Sequence, residues 1–187
     1  FPTLETYDPK TTKMLPMLAK SMPVVEQLTT GPWAGGESYT YEIHDKAVWD
    51  NGSPVQASDY IFTLKVIYNP KIGGATAAYR GVLNIIKEVK VDPANPRKFT
   101  VYTDQPYLDA IRATGAWIYP EYAYDPKGLL KDFSLTDISD AKKAQELAEK
   151  DERLAEFATD FASPKYTQEV ANISNCGAYE IVEWVPE

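Results

Sequence analysis

The order of apolar and polar positions changes period once between residues 39 and 67. Tyr39, Tyr41 and Ile43 alternate with Thr40 and Glu42, the period-two pattern of a strand with one buried face. His44 falls in the same run and is placed mid-strand. Asn51-Gly52 then offers the positive φ of a tight turn, because glycine has no Cβ to clash. Ser58 or Asp59 is positioned to accept a hydrogen bond from the free amides of a helix's first turn. Ile61, Leu64 and Tyr68, flanked by Phe62 and Val66, predict a helix with a broad inner face. Asn69-Pro70 ends it, since the residue before proline is driven out of the α region.

The flanking stretches are less regular. Residues 1–24 are punctuated by proline, and Gly31-Pro32-Trp33-Ala34-Gly35-Gly36 reads as a loop ahead of the strand. A polar loop over 71–74 precedes a short helix over 75–79. Ile86 to Val91 and Lys98 to Thr103 alternate as strands around Pro93-Ala94-Asn95-Pro96, which predicts an antiparallel pair. A short helix is expected over 107–114, followed by the extended apolar run Trp117-Ile118-Tyr119-Pro120. The clearest helical region is 137–161, where Ala141, Ala144, Leu147, Ala148, Leu154, Ala155, Ala158 and Phe161 share a stripe that Asp151 interrupts. Glu146 with Lys150 and Glu149 with Arg153 are spaced as favourable i,i+4 pairs on a solvated outer face.

Composition narrows the functional classes. A chain of 187 residues, 44% hydrophobic, suits one domain or somewhat more. Its 13 tyrosines and 4 tryptophans supply core area with polar tips, or flat walls for a ligand. The net charge of −8 argues against a nucleic-acid partner, which calls for clustered Lys and Arg. No stretch approaches the run of about 18 apolar residues that spans a membrane. Phe1-Pro2-Thr3 opens the sequence without a charged or apolar leader, so an export signal is expected to be absent here or already removed. The single cysteine, Cys176, cannot form an internal disulfide and is expected to be small and mostly buried. One histidine, His44, is too few for a typical zinc or other transition-metal site, and nothing in its spacing pairs it with Cys176. Asp50 and Asp59 are the nearest carboxylate pair to a turn, but Asp59 is explained as a cap. With no nucleophile elbow, metalloprotease or phosphate-loop motif, neither catalysis nor a cofactor is expected.

Three stretches carry a family resemblance. Tyr39-Thr40-Tyr41, Ile43, Trp49, Asn51-Gly52, Pro54-Val55, Ala57 and Asp59 are similar to the signature segment of the extracytoplasmic solute-binding proteins of oligopeptide and dipeptide ABC importers, bacterial family 5. Tyr7-Asp8-Pro9 with Pro16-Met17-Leu18-Ala19-Lys20-Ser21 resembles the run that precedes it. Asn175-Cys176-Gly177-Ala178-Tyr179, with Trp184 downstream, resembles a later turn that leads into a strand. The chain departs from the pattern at His44, where arginine is usual, at Asp50-Asn51-Gly52, which replaces His-Asp-Gly, and at Ala178, which replaces proline.

The resemblance implies an α/β fold, a mixed α+β sheet with flanking helices, forming a fragment of a two-lobed periplasmic-binding-protein fold. It further implies that residues 1–38 contribute to the first lobe and a lead-in loop, 39–175 form the smaller intermediate domain, and 176–187 return to the first lobe. Since full members of the family are more than twice this length, the chain is expected to be an excised piece that binds little peptide alone. The implied role is substrate capture for an ABC permease by a monomer, in the periplasm or lipid-anchored outside the inner membrane. Oligopeptides or dipeptides are the expected cargo, though related proteins carry nickel chelates, sugars or other solutes. Tyr79, Trp117 and Tyr119 lie in or near loops, where binding residues concentrate, and are the candidates for one wall of the cleft. The rival reading, a carbohydrate-binding module stacking sugars on Trp and Tyr, would require a β-sandwich instead.

Overall fold

A computed structural model describes residues 2–177, 181–183 and 185. Strands β1 (Glu5–Tyr7) and β2 (Met14–Pro16) form a two-stranded antiparallel sheet. β3 (Val24–Gln27), β4 (Glu37–Glu42), β5 (Ile86–Asp92) and β6 (Asn95–Thr103) form a four-stranded antiparallel sheet in the order β3-β4-β6-β5. Helix α1 (Ala57–Tyr68) crosses this sheet, and two short helices, α2 (Gly74–Ala78) and α3 (Arg80–Leu83), follow it. After β6 come α4 (Ala110–Thr114), α5 (Glu121–Tyr124), α6 (Leu135–Ile138), α7 (Ala141–Lys150), α8 (Arg153–Phe161) and α9 (Lys165–Gln168). This is the mixed α+β arrangement expected from the sequence, and the helices rule out a β-sandwich.

The alternation in β4 does what it predicts. Tyr39 and Tyr41 are buried, and Ile43, one residue past the strand, completes the face. Register places Tyr41 opposite Phe99 and Tyr39 opposite Val101. The rings of Tyr41 and Phe99 stack with centroids 5.7 Å apart, and Tyr60 of α1 covers Phe99 at 4.8 Å. His44 lies beyond the strand in an exposed turn rather than within it. The turn between β5 and β6 is tighter than the proline pattern suggests, because Asp92 pairs directly with Asn95 and Pro96 lies inside β6.

Helix α1 is buried almost all round instead of along one face. The sheet holds Tyr60, while Phe62 meets Phe157 of α8 edge-on at 5.9 Å on the other side. Ile61, expected on the inner face, is only half-buried. The helix therefore forms a middle layer between the sheet and the later helices, as an apolar composition on every side requires.

Its ends are held by side-chain hydrogen bonds. The N-cap is Gln56, and Asp59 is the third helical residue, reaching back to accept from the Gln56 amide at 3.0 Å. The same carboxylate accepts from Trp49 Nε1 at 3.2 Å and the Glu121 amide at 3.2 Å. Burial nevertheless pushes its carboxyl above the usual aspartate range. At the other end Arg80 Nε donates to the Ile67 carbonyl at 2.6 Å, and its guanidinium also bonds the carbonyls of Asn69 and Ile72. The first two are carbonyls left over where the α-helix stops, and Ile72 lies in the loop that follows.

The long helical region divides at Asp151 and Glu152, where the interrupted stripe predicts a break. Asp140 caps α7, accepting from the amides of Lys142 and Lys143 at 2.9 and 3.1 Å. Arg153 pairs with Asp151 and Asp132, both at 2.8 Å, in place of the expected Glu149. Cys176 is half-buried, less enclosed than expected, and burial raises its thiol to about 11. The turn and strand expected over 176–187 lie partly outside the described residues.

A cavity between the first strand and the aromatic loops

The first strand reaches across the chain to the segment after α4. The Leu4 amide donates to the Gly115 carbonyl at 3.2 Å, the Ile118 amide donates to the Pro2 carbonyl at 3.2 Å, and Thr3 bridges Trp117. Leu4 is fully buried, which anchors this pairing in the core. The junction of α2 and α3 places Tyr79 against the same segment.

The three aromatic residues singled out in the sequence come together here. Tyr79 meets Trp117 edge-on with ring centroids 4.4 Å apart, and Trp117 meets Tyr119 at 6.1 Å. Their surroundings differ. Tyr79 is 45% exposed, while Trp117 and Tyr119 are half-buried. Tyr119 continues into an interior ring cluster with Tyr124 at 5.5 Å and Phe161 at 5.6 Å. Its amide donates to Thr63 Oγ1 at 2.7 Å, tying the segment to α1.

Two hollows share the Tyr79–Trp117 pair. One, of about 330 Å³, is bordered by Thr3, Ala75, Thr76 and Tyr119. The other, of about 380 Å³, is half-enclosed and bordered by Glu5, Met14, Leu83, Arg112, Gly115 and Ala116.

Glu5 was not signalled by the sequence, yet it is the most unusual group in the second hollow. The residue is 4% exposed, and neither carboxyl oxygen has a well-formed hydrogen bond. Burial pushes its carboxyl up to about 7, and the Tyr41 hydroxyl facing it offsets only a part. That hydroxyl is 2.7 Å from Thr114 Oγ1, which limits what it gives to Glu5. Gly115 makes the room, because a methyl group there would stand 1.5 Å from Glu5 Oε2. Arg112, a cation bordering the hollow, is exposed and already paired with Asp109. The Trp117 indole is a second buried polar group without a well-formed hydrogen bond. Among the described residues no cluster of three or more His, Cys, Asp or Glu side chains converges as a metal site would.

By contrast, the signature residues are scaffold. Trp49 is 2% exposed and its indole is committed to Asp59. Gly52 takes φ +81° in the turn that returns Ser53 to Trp49, the Trp49 amide donating to the Ser53 carbonyl at 2.8 Å. The family model described as "Bacterial extracellular solute-binding proteins, family 5 Middle" matches residues 13–187. The chain belongs to this family. No curated protein matches its sequence.

Solved structures share the fold of this family 5 chain at low identity. The oligopeptide binding protein from Thermus thermophilus, solved with a pentapeptide, superposes with TM-score 0.65 at 18% identity, over 100% of this chain and 30% of that one. OppA from Burkholderia pseudomallei gives 0.59 at 17% identity, covering 100% and 30%. NikZ from Campylobacter jejuni, solved with Ni(L-His), gives 0.57 at 20% identity, covering 99% and 28%. The family 5 chain described here therefore spans about 30% of the length of these neighbours.

Proposed function

We propose that this chain is part of the substrate-capture component of an ABC importer, that its cargo is an oligopeptide or dipeptide, and that it hands the cargo to a membrane permease. The observation that carries this reading is the half-exposed aromatic wall of Tyr79, Trp117 and Tyr119 beside two hollows, in a chain of the family 5 type. Flat rings at a concave surface bury apolar ligand area at low entropic cost. One wall leaves a ligand half solvated, and hinged closure of an opposing lobe supplies the missing contacts. Residues 1–38 contribute to the first lobe and 39–175 to the smaller domain, with β3 joining the first segment to the larger sheet. The protein acts as a monomer outside the inner membrane, in the periplasm or lipid-tethered.

The test is thermal stability of the full-length protein against a peptide library, with the 187-residue chain alongside. A ligand at 100 times its dissociation constant adds roughly 2.7 kcal/mol if it binds only the folded state. A shift in the full-length protein and none in the short chain is the expected result. No shift with any peptide overturns the choice of cargo.

A further inference from the structure

We propose that Glu5 is a proton-operated latch on the aromatic wall: protonated, it lets residues 2–5 lie against 115–118, and ionised, it drives the two segments apart and loosens Trp117. This rests on the solute-capture reading above and adds a regulation to that same site. Three contacts form the seam. The Leu4 amide donates to the Gly115 carbonyl, the Ile118 amide donates to the Pro2 carbonyl, and Thr3 bridges Trp117. The Glu5 carboxyl is sealed at this seam, with both oxygens out of reach of water. The hollow that Glu5 borders does not extend to them. Gly115 packs directly against the carboxyl, since a methyl group there would stand 1.5 Å from Oε2. A charge on Glu5 therefore meets water only when residues 5 and 115 separate, and keeping a charge dry is costly.

The groups that face Glu5 do not offset that charge. β4 presents the Tyr41 hydroxyl and α1 the Tyr60 hydroxyl, and Thr114 engages each at 2.7 Å. Arg112 of α4 borders the hollow but is exposed and paired with Asp109. Tyr7 of β1 and Met14 of β2, which also border it, bring no positive charge. Burial carries the Glu5 carboxyl from 4.5 to about 7 while the seam is closed. Across that window the closed seam holds a proton that an opened Glu5 releases. Opening thus becomes easier as pH rises and levels off above the window. Trp117 is coupled to the seam through Thr3, and Tyr79 rests on Trp117 with ring centroids 4.4 Å apart. Cargo that needs the assembled wall is held better in mild acid than in mild alkali.

The experiment follows hydrogen–deuterium exchange in the full-length protein and its Glu5→Gln variant at about pH 5.5 and about pH 8. Rates are divided by the intrinsic rate at each pH, which leaves the protection of each segment. Between the two pH values, residues 2–5 and 115–118 should lose about 25-fold in protection in the wild type and about twofold or less in the variant. Their protection should also lie below that of the β4–β6 pairs. The latch is overturned if seam protection does not change with pH, falls equally in the variant, or equals that of the β4–β6 pairs, where only whole-chain unfolding opens it. A peptide pool is then titrated against both proteins at both pH values. The ratio of variant to wild-type affinity cancels the titration of the peptides themselves and should rise about fivefold or more with pH. A constant ratio overturns the coupling to the wall. No peptide binding at either pH, with the seam responding as expected, overturns the peptide reading and leaves the latch standing. Should the variant not fold, the wild-type comparison of the seam with the β4–β6 pairs decides alone.

Discussion

Replacing Glu5 by glutamine should change how stability depends on pH, by an amount that follows from its burial. An ordinary glutamate titrates at 4.5, and burial carries Glu5 to about 7 in the folded chain. Between those values the folded state holds a proton that the unfolded state has released. Stability therefore falls as pH rises through this window and is level on either side of it. At 1.36 kcal/mol per pH unit the interval corresponds to about 3 kcal/mol. The glutamine side chain carries no proton to lose, so the wild-type penalty has no counterpart in the variant. The amide also brings donors that need partners, which shifts the variant by a constant amount at every pH. The quantity to follow is thus the difference in unfolding free energy, variant minus wild type. It should rise by about 3 kcal/mol from about pH 4 to about pH 8. Urea unfolding across that range measures it, provided the slope against denaturant stays the same for both proteins. A difference that stays flat with pH would show that the Glu5 carboxyl is solvated or paired with a charge in the folded chain, and would refute the reasoning.

Three further outcomes follow from the same geometry. Phe62→Ala removes the ring between α1 and α8 and should cost about 3–5 kcal/mol, read from the midpoint of chemical unfolding. Arg80→Leu removes the guanidinium donors to the carbonyls of Ile67, Asn69 and Ile72, of which Asn69 keeps the Ile72 amide; a loss of about 1–3 kcal/mol is expected, with faster amide exchange at the end of α1. Tyr79→Ala should leave stability within about 1 kcal/mol, because the ring is 45% exposed, while weakening ligand binding in the full-length protein about tenfold or more. Unchanged affinity would remove Tyr79 from the binding wall.

Local pattern carried most of the fold. The alternation at Tyr39, Tyr41 and Ile43, the glycine turn at Gly52 and the break near Asp151 all depend on near neighbours, and all are legible in sequence. Boundaries were less so: moving the start of α1 to Gln56 turns Asp59 from the cap into the residue that reaches back to it. The all-round burial of α1 was available from its composition, since Tyr60, Phe62, Leu64, Val66 and Ile67 do not fit on one stripe. The candidate site was visible in part. Loop position singled out Tyr79, Trp117 and Tyr119, but their convergence depends on the long-range bridge from Thr3 to Trp117. Glu5 was invisible because a strand of three residues is too short to show which face an acid will take.

That bridge also sets when the cavity comes into being. Glu5 leaves the ribosome about 110 residues ahead of Gly115 and Trp117. At about 5–20 residues per second of synthesis, residues 2–4 wait several seconds or more for the segment they pair with. Throughout that interval Leu4 has no core to enter, and the edge of β1 is open to pairing with another nascent chain. The ionised form of Glu5 is then useful, because a charge beside an open strand edge discourages association while the chain is incomplete. Docking of residues 115–118 ends this protective phase and creates the buried acid in the same step.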